Sequence, residues 1–527
     1  MSLNGADMAG LTARMESIAA SGGKWLTEAE LAQYASPSAA DEAAVRAFLV
    51  KNGIPASAQK WSKLRDSVSV DSTVGQTAKL FQAQFLEYSV DGQRAARTKA
   101  YTIPSEIANS VQDAYPLSTY GSIRRASTGF TPLAEEDIPA GEAAEEEALE
   151  RRQSTPSSCS TNSVTPACLR AYYGTSSVTP KATSGVVDIG VMGYIDQYVS
   201  NTGDADLKTF NQKYRSDAAG YSIPIQLRNG ATNDQSNPGV EAMLDVETVV
   251  SQTYPLNSQF IAEGTSQTAG DIFLLTFNDF INNYSASTRP KVISISYGSD
   301  EKEFSSSQAN SMCNAAQKLT SLGVTIVVSS GDYGVGGQSG DTCPNFVPTY
   351  PGGCPYILSV GATQGFSPEV MVDNNLAGFY SGAGASQIFS TPSFQSSQVS
   401  AYKSKIPSSA SGEYNANGRF FPDLAAQGSR YVIVQKGQTG LVGGTSASCP
   451  LVASLLTLQN ARRRANGQDS IGWANPALYS KSNLKDITSG GSYGCGSSTT
   501  NGFPAASGWD GSSGLGSPSY SALTAVF

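Results

Sequence analysis

Three short segments of the chain carry side chains suited to hydrolytic chemistry. In LVGGTSASCPLVASLLTLQNARRR, the pair Gly443–Gly444 is followed by Ser446, which opens an apolar predicted helix. A serine at a helix N-terminus lies beside backbone amides and the positive end of the helix dipole, both of which favour a developing negative charge. Ser446 is therefore a candidate nucleophile. A helix-capping or turn serine is the commoner explanation of such a pattern.

The other two segments supply carboxylates. In PGVEAMLDVETVVSQ, Glu241 and Asp245 lie four positions apart on a predicted helix and share a face. Two carboxylates this close to apolar neighbours are expected to share a proton and act as an acid/base pair, although a solvated helix face is the usual alternative. In GVTIVVSSGDYGVGG, Asp332 follows an apolar strand at a Gly-rich turn. Held neutral, it could donate a hydrogen bond to an oxyanion; otherwise it is an ordinary turn aspartate.

The composition limits the chemistry further. The 527 residues include no histidine, which excludes Ser-His-Asp and Cys-His catalysis and His-ligated zinc. A carboxylate would then have to be the general base, and carboxylates act best as bases in acid. The net charge of −9 is consistent either with plain solubility or with operation at low pH. The sequence has no Lys/Arg stripe for nucleic acid and no apolar run long enough for a membrane span.

The words EAMLD, SSGDYG and GGTSAS, in this order, resemble the sedolisin family of serine-carboxyl peptidases, which includes tripeptidyl-peptidases and kumamolisin-like enzymes. The resemblance implies a subtilisin-like α/β fold and polypeptide substrates. It implies that Ser446 is the nucleophile, Glu241 the general base, Asp245 the group that orients this base and shares its proton, and Asp332 the oxyanion donor.

Two further segments resemble binding regions of the family. VISISYGSDE is similar to the substrate-binding strand, which implies that Ser296, Tyr297 and Gly298 pair with the backbone of a peptide. The alternative is a buried strand end.

LKDITSG and AASGWDGSSGLGSP are similar to the family's site for one structural calcium ion. The resemblance implies carboxylate ligands from Asp486 and Asp510 and carbonyl ligands from Ile487, Ala506 and Gly508, an all-oxygen set that suits Ca²⁺. Two turn aspartates are the alternative.

Elements that could position these residues follow from hydrophobic patterning. Apolar runs alternate with helix-like segments in the C-terminal two thirds, which predicts a parallel sheet covered by helices on both faces. The predicted strands are Gly185–Tyr194, Gln259–Ile261, Lys291–Ser296, Val324–Ser329 and Ile357–Val360, and the predicted helices include Glu241–Gln252 and Ser307–Leu322. Active sites of such sheets lie at the carboxyl ends of the strands.

Residues 1–130 are predicted to form a smaller α+β domain. The predicted elements are helices at Met8–Ala20, Ala39–Asn52 and Thr73–Glu87 and a strand at Ala100–Ile103. The segments GGKWLTEAELAQYASPSAADEAAVRAFLVKNGI and RTKAYTIPSEIANSVQDAYPLSTY resemble the family's pro-domain, which implies a ferredoxin-like fold and inhibition of the chain's own enzyme. We expect this pro-domain to be N-terminally incomplete and the native signal peptide to be absent.

Residues 131–157 are predicted to be an acidic linker with a processing site, followed by a catalytic domain at 158–527. Eight of the sixteen residues from Glu135 to Glu150 are acidic. Such a segment is a poor core former, and Arg151 and Arg152 behind it suit protease access. Self-processing is expected around residues 150–160; a plain interdomain linker is the alternative.

The chain has seven cysteines, an odd number that leaves one thiol free if the others pair. The family resemblance implies the pairs Cys343–Cys495, Cys313–Cys354 and Cys159–Cys168, with Cys449 left free. Reduced cytosolic thiols are the alternative. A single glycosylation sequon occurs at Asn283.

Together these features predict a secreted, monomeric, acid-acting serine-carboxyl peptidase zymogen of the tripeptidyl-peptidase type, with a vacuole or lysosome as the alternative location. A sedolisin-type endopeptidase and an inactive, calcium-stabilised binding relative are the alternative functions. The sequence does not separate exo from endo action, and it does not indicate the side chain preferred at the scissile bond.

Overall fold

The computed structural model describes all residues except 6, 91–92, 119–122, 142–155, 203–204, 265–270, 338–342, 344, 374–376 and 496–500. The α-helices are α1 (Met8–Ser21), α2 (Glu28–Ala35), α3 (Ala39–Lys51), α4 (Val74–Leu80), α5 (Pro166–Tyr172), α6 (Asp206–Tyr214), α7 (Val240–Thr253), α8 (Ile272–Asn283), α9 (Ser306–Ser321), α10 (Ser396–Tyr402), α11 (Thr445–Ala465), α12 (Asn475–Lys481) and α13 (Tyr520–Val526).

The strands are β1 (Ser2–Leu3), β2 (Gln59–Trp61), β3 (Val68–Val70), β4 (Phe85–Val90), β5 (Gln93–Thr98), β6 (Val111–Asp113), β7 (Arg124–Arg125), β8 (Thr131–Pro132), β9 (Ile189–Gly193), β10 (Ile225–Arg228), β11 (Ser258–Glu263), β12 (Val292–Ile295), β13 (Tyr297–Asp300), β14 (Thr325–Ser329), β15 (Thr349–Tyr350), β16 (Leu358–Gln364), β17 (Val370–Met371), β18 (Gly384–Ser390), β19 (Gly418–Phe421), β20 (Leu424–Gln427), β21 (Tyr431–Gln435), β22 (Gln438–Val442), β23 (Gly491–Tyr493) and β24 (Gly502–Pro504).

The larger of two compact units comprises residues 123–265, 287–301 and 324–527 and is built on one sheet. Strands β10, β11, β9, β12, β14 and β16 follow one another in parallel, and β16 also pairs with β20 in parallel and with β17 antiparallel. Strands β9, β12 and β14 are buried along their whole length. Continuous apolar strands of this kind require cover on both faces, as the sequence predicted.

Helices α7 and α11 provide much of that cover. Both are almost completely buried, and their apolar side chains join those of β9, β12 and β14 in one hydrophobic cluster. Helix α11 is buried from Thr445 to Ala461. A helix buried on every side lies inside a large core, so the polar side chains that these two helices also carry are held away from water.

The smaller unit comprises residues 1–122, 266–286 and 302–323. It contains α1–α4, α8 and α9 with the antiparallel pairs β1–β6, β2–β3 and β4–β5. Polar N-cap residues start its helices: Thr27 and Ser305 each form a capping box, and Asp271 caps α8. A buried ion pair joins Lys318 Nζ to Asp66 Oδ2 at 2.6 Å within this unit.

Two predictions for the smaller unit differ from the structure, and one strand was not predicted. The helix predicted at Thr73–Glu87 ends at Leu80, because the backbone turns through a left-handed residue at Gln82 (φ 49°) and continues as strand β4. The strand predicted at Ala100–Ile103 is absent, and β5 lies just before it; the Thr102 amide instead donates to the Phe81 carbonyl. A short first strand, β1, precedes α1 and was not predicted.

Two of the three cysteine pairs implied by the family resemblance are confirmed, and so is the free thiol of Cys449. Disulfide bonds join Cys159 to Cys168 and Cys343 to Cys495. Cys313 and Cys354 are also disulfide-bonded. Cys449 is free and buried. Across the described ranges, no helix combines the length and apolarity needed to cross a membrane.

Candidate active site

The candidate nucleophile lies where β22 passes into α11. Ser446 is the second residue of α11, is fully buried, and donates from Oγ to the Ser296 carbonyl at 3.2 Å. Gly444 precedes the helix with φ 134°, a conformation open to glycine but strained for other residues. A Cβ at Gly444 would lie 2.3 Å from the Ala126 carbonyl oxygen and 2.7 Å from Asp332 Oδ2. The backbone is therefore shaped to bring other groups against the start of the helix.

Helix α7 presents the predicted acid pair. Glu241 and Asp245 lie one turn apart and are both fully buried. Ser296 Oγ donates to Asp245 Oδ1 at 2.8 Å, while Asp245 Oδ2 has no partner among the described residues. Burial, and then the charge of Glu241, raise the pKa of Asp245 well above its usual value. Burial also raises the pKa of Glu241 to about 7. The pair therefore holds at least one proton in acid.

Glu241 is the member of this pair that faces the nucleophile. The hydroxyls of Ser127 and Ser446 lower its pKa against the effect of burial, which places both near this carboxyl group, and the positive charge of Arg125 acts in the same direction. Neither Glu241 oxygen makes a well-aligned hydrogen bond to any residue described. Rotation of the Ser446 hydroxyl from the Ser296 carbonyl to Glu241 would complete the proton path.

Asp332 uses its two oxygens differently. It follows β14, at the carboxyl end of the sheet, and Oδ1 accepts from Thr445 N at 2.8 Å and from Thr445 Oγ1 at 2.9 Å. Oδ2 has no partner among the described residues and faces Gly444. Burial raises the pKa of Asp332 well above its usual value despite the bonds from Thr445. The raised pKa favours a proton on this carboxyl group in acid, and Oδ2 is the oxygen left open to carry it.

Strand β13 is already paired with a peptide in this structure. Tyr297 and Gly298 lie antiparallel to Arg125 and Arg124 of β7, and the Ser296 carbonyl accepts from Ala126 N at 3.2 Å. The occupant is a segment of the chain itself. Sequence reasoning missed it, because the letters RRAST carry no motif of their own.

The predicted calcium ligands also come together. Gly508 N donates to Asp486 Oδ2 at 2.8 Å, and Ala506 N donates to Asp510 Oδ2 at 3.0 Å, so two loops meet at these carboxylates. Asp510 and Ile487 are fully buried. Burial raises the pKa of Asp510 to about 6, so a cation beside it would offset a real cost. The described residues form no cluster of three or more acidic or sulfur side chains.

Comparisons with known proteins agree with this architecture. Residues 1–120 match the pro-kumamolisin activation domain and residues 259–485 match the subtilase family. The tripeptidyl-peptidase sed4 of Aspergillus fumigatus is 31% identical over 95% of this chain and 86% of its own. The tripeptidyl-peptidase SED2 of Arthroderma otae is 30% identical over 96% and 87%. The solved structure of Pseudomonas sedolisin, a serine-carboxyl proteinase complexed with pseudo-iodotyrostatin, superposes with a TM-score of 0.54 at 23% identity, covering 69% of this chain and 98% of that one.

The helix-covered parallel sheet and the two family matches define a serine-type peptidase of subtilisin-like α/β fold that carries an activation domain. The sequence identity with sed4 of Aspergillus fumigatus exceeds 30% over most of both chains, which is enough to show the family. This chain belongs to the sedolisin family of serine-carboxyl peptidases.

Proposed function

We propose that this chain is the zymogen of an acid-acting peptidase that hydrolyses peptide bonds through Ser446. The observation that carries the proposal is the buried pair Glu241 and Asp245 beside a buried serine, in a chain that has no histidine. Each group sits in an environment that gives it a distinct proton-transfer role. Retention of all these groups, with Asp332, argues against an inactive binding protein.

In the first step, Ser446 Oγ attacks the carbonyl carbon of the scissile bond and its proton passes to the Glu241 carboxylate. The proton that Asp245 shares keeps the pair from carrying two buried negative charges. The oxyanion accepts hydrogen bonds from the Ser446 backbone N–H and from the protonated Oδ2 of Asp332.

In the second step, Glu241 returns the proton to the leaving nitrogen, the C–N bond breaks, and an acyl ester remains on Ser446. Water then attacks this ester, gives one proton to Glu241, and releases a carboxylic acid as Ser446 recovers its proton. Every transfer uses a carboxyl group, so the cycle should run best in acid.

The test of this proposal is Ser446→Ala in the full chain. We expect the rate of peptide hydrolysis at pH 4 to fall by about 10⁴–10⁶-fold, the range seen when a serine nucleophile is removed. Thermal unfolding should be nearly unchanged, because Ser446 Oγ makes a single hydrogen bond to a backbone carbonyl. An Ala variant that still hydrolyses peptides in a clean preparation would contradict the assignment.

We further propose tripeptidyl-peptidase action, which is supported by the names of the relatives from Aspergillus fumigatus and Arthroderma otae. Digestion of one long peptide at pH 4, followed by mass spectrometry, separates the possibilities. A ladder of products differing by three residues from the N-terminus supports exo action. Internal cuts would identify an endopeptidase instead.

A structural calcium ion is the proposed cofactor. Asp486 and Asp510 would hold it together with the carbonyls of Ile487, Ala506 and Gly508, and its charge would stabilise this loop pair rather than take part in the reaction. Asp486→Asn is a clean test, because an amide oxygen can still accept from Gly508 N while one negative charge is lost. We expect weaker calcium binding by calorimetry and a lower melting temperature that added calcium no longer raises.

Secretion and a monomeric state complete the proposal. Disulfide bonds are typical of proteins from oxidising compartments, which supports an extracellular location. The pro-domain is proposed as the intramolecular inhibitor, since Arg124 and Arg125, near the end of residues 1–130, occupy the strand edge that a polypeptide substrate would use.

A further inference from the structure

Residues 124–128 run through the candidate active site, and strand β7 (Arg124–Arg125) begins this segment. On one side of the nucleophile, Arg124 and Arg125 pair antiparallel with Gly298 and Tyr297. This is the way an added strand binds to a sheet edge, with the backbone providing the affinity.

The carbonyl of Ala126 occupies the oxyanion position. Ser446 N donates to the Ala126 carbonyl oxygen at 2.8 Å, and Ala126 N donates to the same Ser296 carbonyl that receives the Ser446 hydroxyl. That oxygen and Asp332 Oδ2 lie 2.3 and 2.7 Å from the position that a Cβ on Gly444 would take, so both are close to the start of α11. A carbonyl held by the nucleophile's own amide and facing a second acid donor is polarised for attack.

The residues after Ala126 are held just as firmly on the other side. Thr128 N donates to the Gly443 carbonyl at 2.7 Å, and Gly443 N donates to Thr128 Oγ1 at 2.8 Å. Further on, β8 pairs with β22. Ser127 lies between these anchors, with its hydroxyl beside Glu241. Ser127, whose nitrogen would be the leaving amine, is thus a neighbour of the group that must protonate that amine.

We infer that the first bond this chain cleaves in itself is Ala126–Ser127; the inference rests on the proposed function. Ser446 Oγ attacks the Ala126 carbonyl carbon and its proton passes to Glu241. The Ala126–Ser127 C–N bond breaks as Glu241 returns that proton to the Ser127 nitrogen. Water then hydrolyses the acyl ester, leaving a chain that ends in the Ala126 carboxyl group and a second chain that begins with the Ser127 amine.

This site differs from the region around residues 150–160 that the acidic linker suggested. Arg151 and Arg152 lie outside the described residues. A later cleavage around residues 150–160 would change the N-terminus of the final enzyme, but the first new N-terminus would still be Ser127.

The experiment is a time course of full-length protein purified at neutral pH and then brought to pH 4 in the cold. Mass spectrometry of intact chains should show, as the first products, a fragment ending at Ala126 and a fragment beginning at Ser127. Because the bond is already in its own cleft, the rate should be independent of protein concentration. If the first new N-terminus lies at 150–160 and Ser127 never appears as one, the inference is wrong.

Ser127→Pro and Gln153→Pro form a matched pair of variants. Proline at 127 gives the scissile bond a tertiary amide nitrogen and crowds the leaving group, so the first cut should slow by at least tenfold. Proline at 153 should leave it unchanged. The opposite pattern overturns the assignment, and the wild-type fragment masses decide the question even if Ser127→Pro does not fold.

Hydrolysis of an added unstructured peptide at pH 4 distinguishes failure of the Ala126–Ser127 assignment from failure of the proposed function. Peptide hydrolysis together with a first cut elsewhere refutes the Ala126–Ser127 assignment alone. Loss of both peptide hydrolysis and self-cleavage in wild-type protein refutes the proposed function itself.

Discussion

At the residue scale, the distribution of protons defines this site. Four of its functional groups are buried, and the three carboxyl groups among them all have raised pKa values because burial disfavours their charged forms. Hydrogen bonds then distinguish them. Asp245 and Asp332 each accept bonds on one oxygen and keep the other free. Glu241 keeps both oxygens open towards the nucleophile.

Asp332 gives a prediction at this scale. Asp332→Ala should reduce kcat by about 10²–10³-fold, as loss of one oxyanion donor does elsewhere. Asp332→Asn should retain most of the activity, because the amide oxygen can accept from Thr445 and the amide nitrogen can donate without needing a proton. Steady-state rates of peptide hydrolysis at pH 4 measure both. Equal losses in the two variants would show that Asp332 acts through something other than hydrogen-bond donation.

The placement of the two candidate carboxylates of α7 on one helix face follows directly from the sequence. Glu241 and Asp245 lie one helical turn apart in a strongly apolar segment, so local periodicity alone places both on one face. Local periodicity could not predict that residues 124–128 bind at the site. Ala126 reaches Ser446 only through pairing with β13, about 170 positions further along the chain, and no local pattern records that register.

At the scale of elements, the turn between β22 and α11 sets the geometry. Gly444 lets the chain approach Ala126 and Asp332 closely, and it does so in a backbone conformation that other residues resist. In the smaller unit, by contrast, a turn ended an element that the sequence pattern had predicted to continue. There the spacing of Phe81 and Phe85 suggested a continuing helix, but the left-handed turn at Gln82 ended it, and tertiary pairing of β4 with β5 overrode local propensity.

Gly444→Ala is the prediction for this turn. The added methyl group would meet the Ala126 carbonyl and Asp332 Oδ2, so self-cleavage and peptide hydrolysis should both fall at least a hundredfold. Gly467→Ala, just beyond the other end of α11, is the control: its φ is 69° but nothing lies within 4 Å of the new Cβ. It should cost only about 1 kcal/mol of stability and leave catalysis unchanged. Normal kinetics in Gly444→Ala would contradict the role of this turn.

At the scale of the whole molecule, buried carboxyl groups tie stability to acid. Glu247 is outside the catalytic pair and is fully buried; Oε2 accepts from Val434 N at 2.9 Å while Oε1 has no partner in the described part of the chain. Burial, and secondarily the charge of Asp206, raise its pKa well above the usual 4.5. The folded state therefore binds this proton more tightly than the unfolded state. Its stabilisation is complete below pH 4.5 and is lost as pH rises through the folded-state value.

We therefore expect the free energy of unfolding to decrease from pH 4 towards neutrality. Urea denaturation in the Ser446→Ala background, which keeps the chain intact, measures this slope. Glu247→Gln should flatten it by up to about 1.4 kcal/mol per pH unit, because the amide cannot ionise. Glu136→Gln, at an exposed position, is the matched control and should leave the slope unchanged. An identical slope in both variants would rule out Glu247 as a source of the pH dependence.

The strand in the cleft is anchored on both sides of the bond proposed to break, by β13 before it and by β22 and Gly443 after it. Hydrolysis of that bond removes none of these backbone contacts. The nicked protein would thus be a product complex with both new ends still seated, and substrate would have to wait for them to dissociate. Activity should therefore lag behind cleavage, and the length of that lag, rather than the chemistry, should set the time of activation.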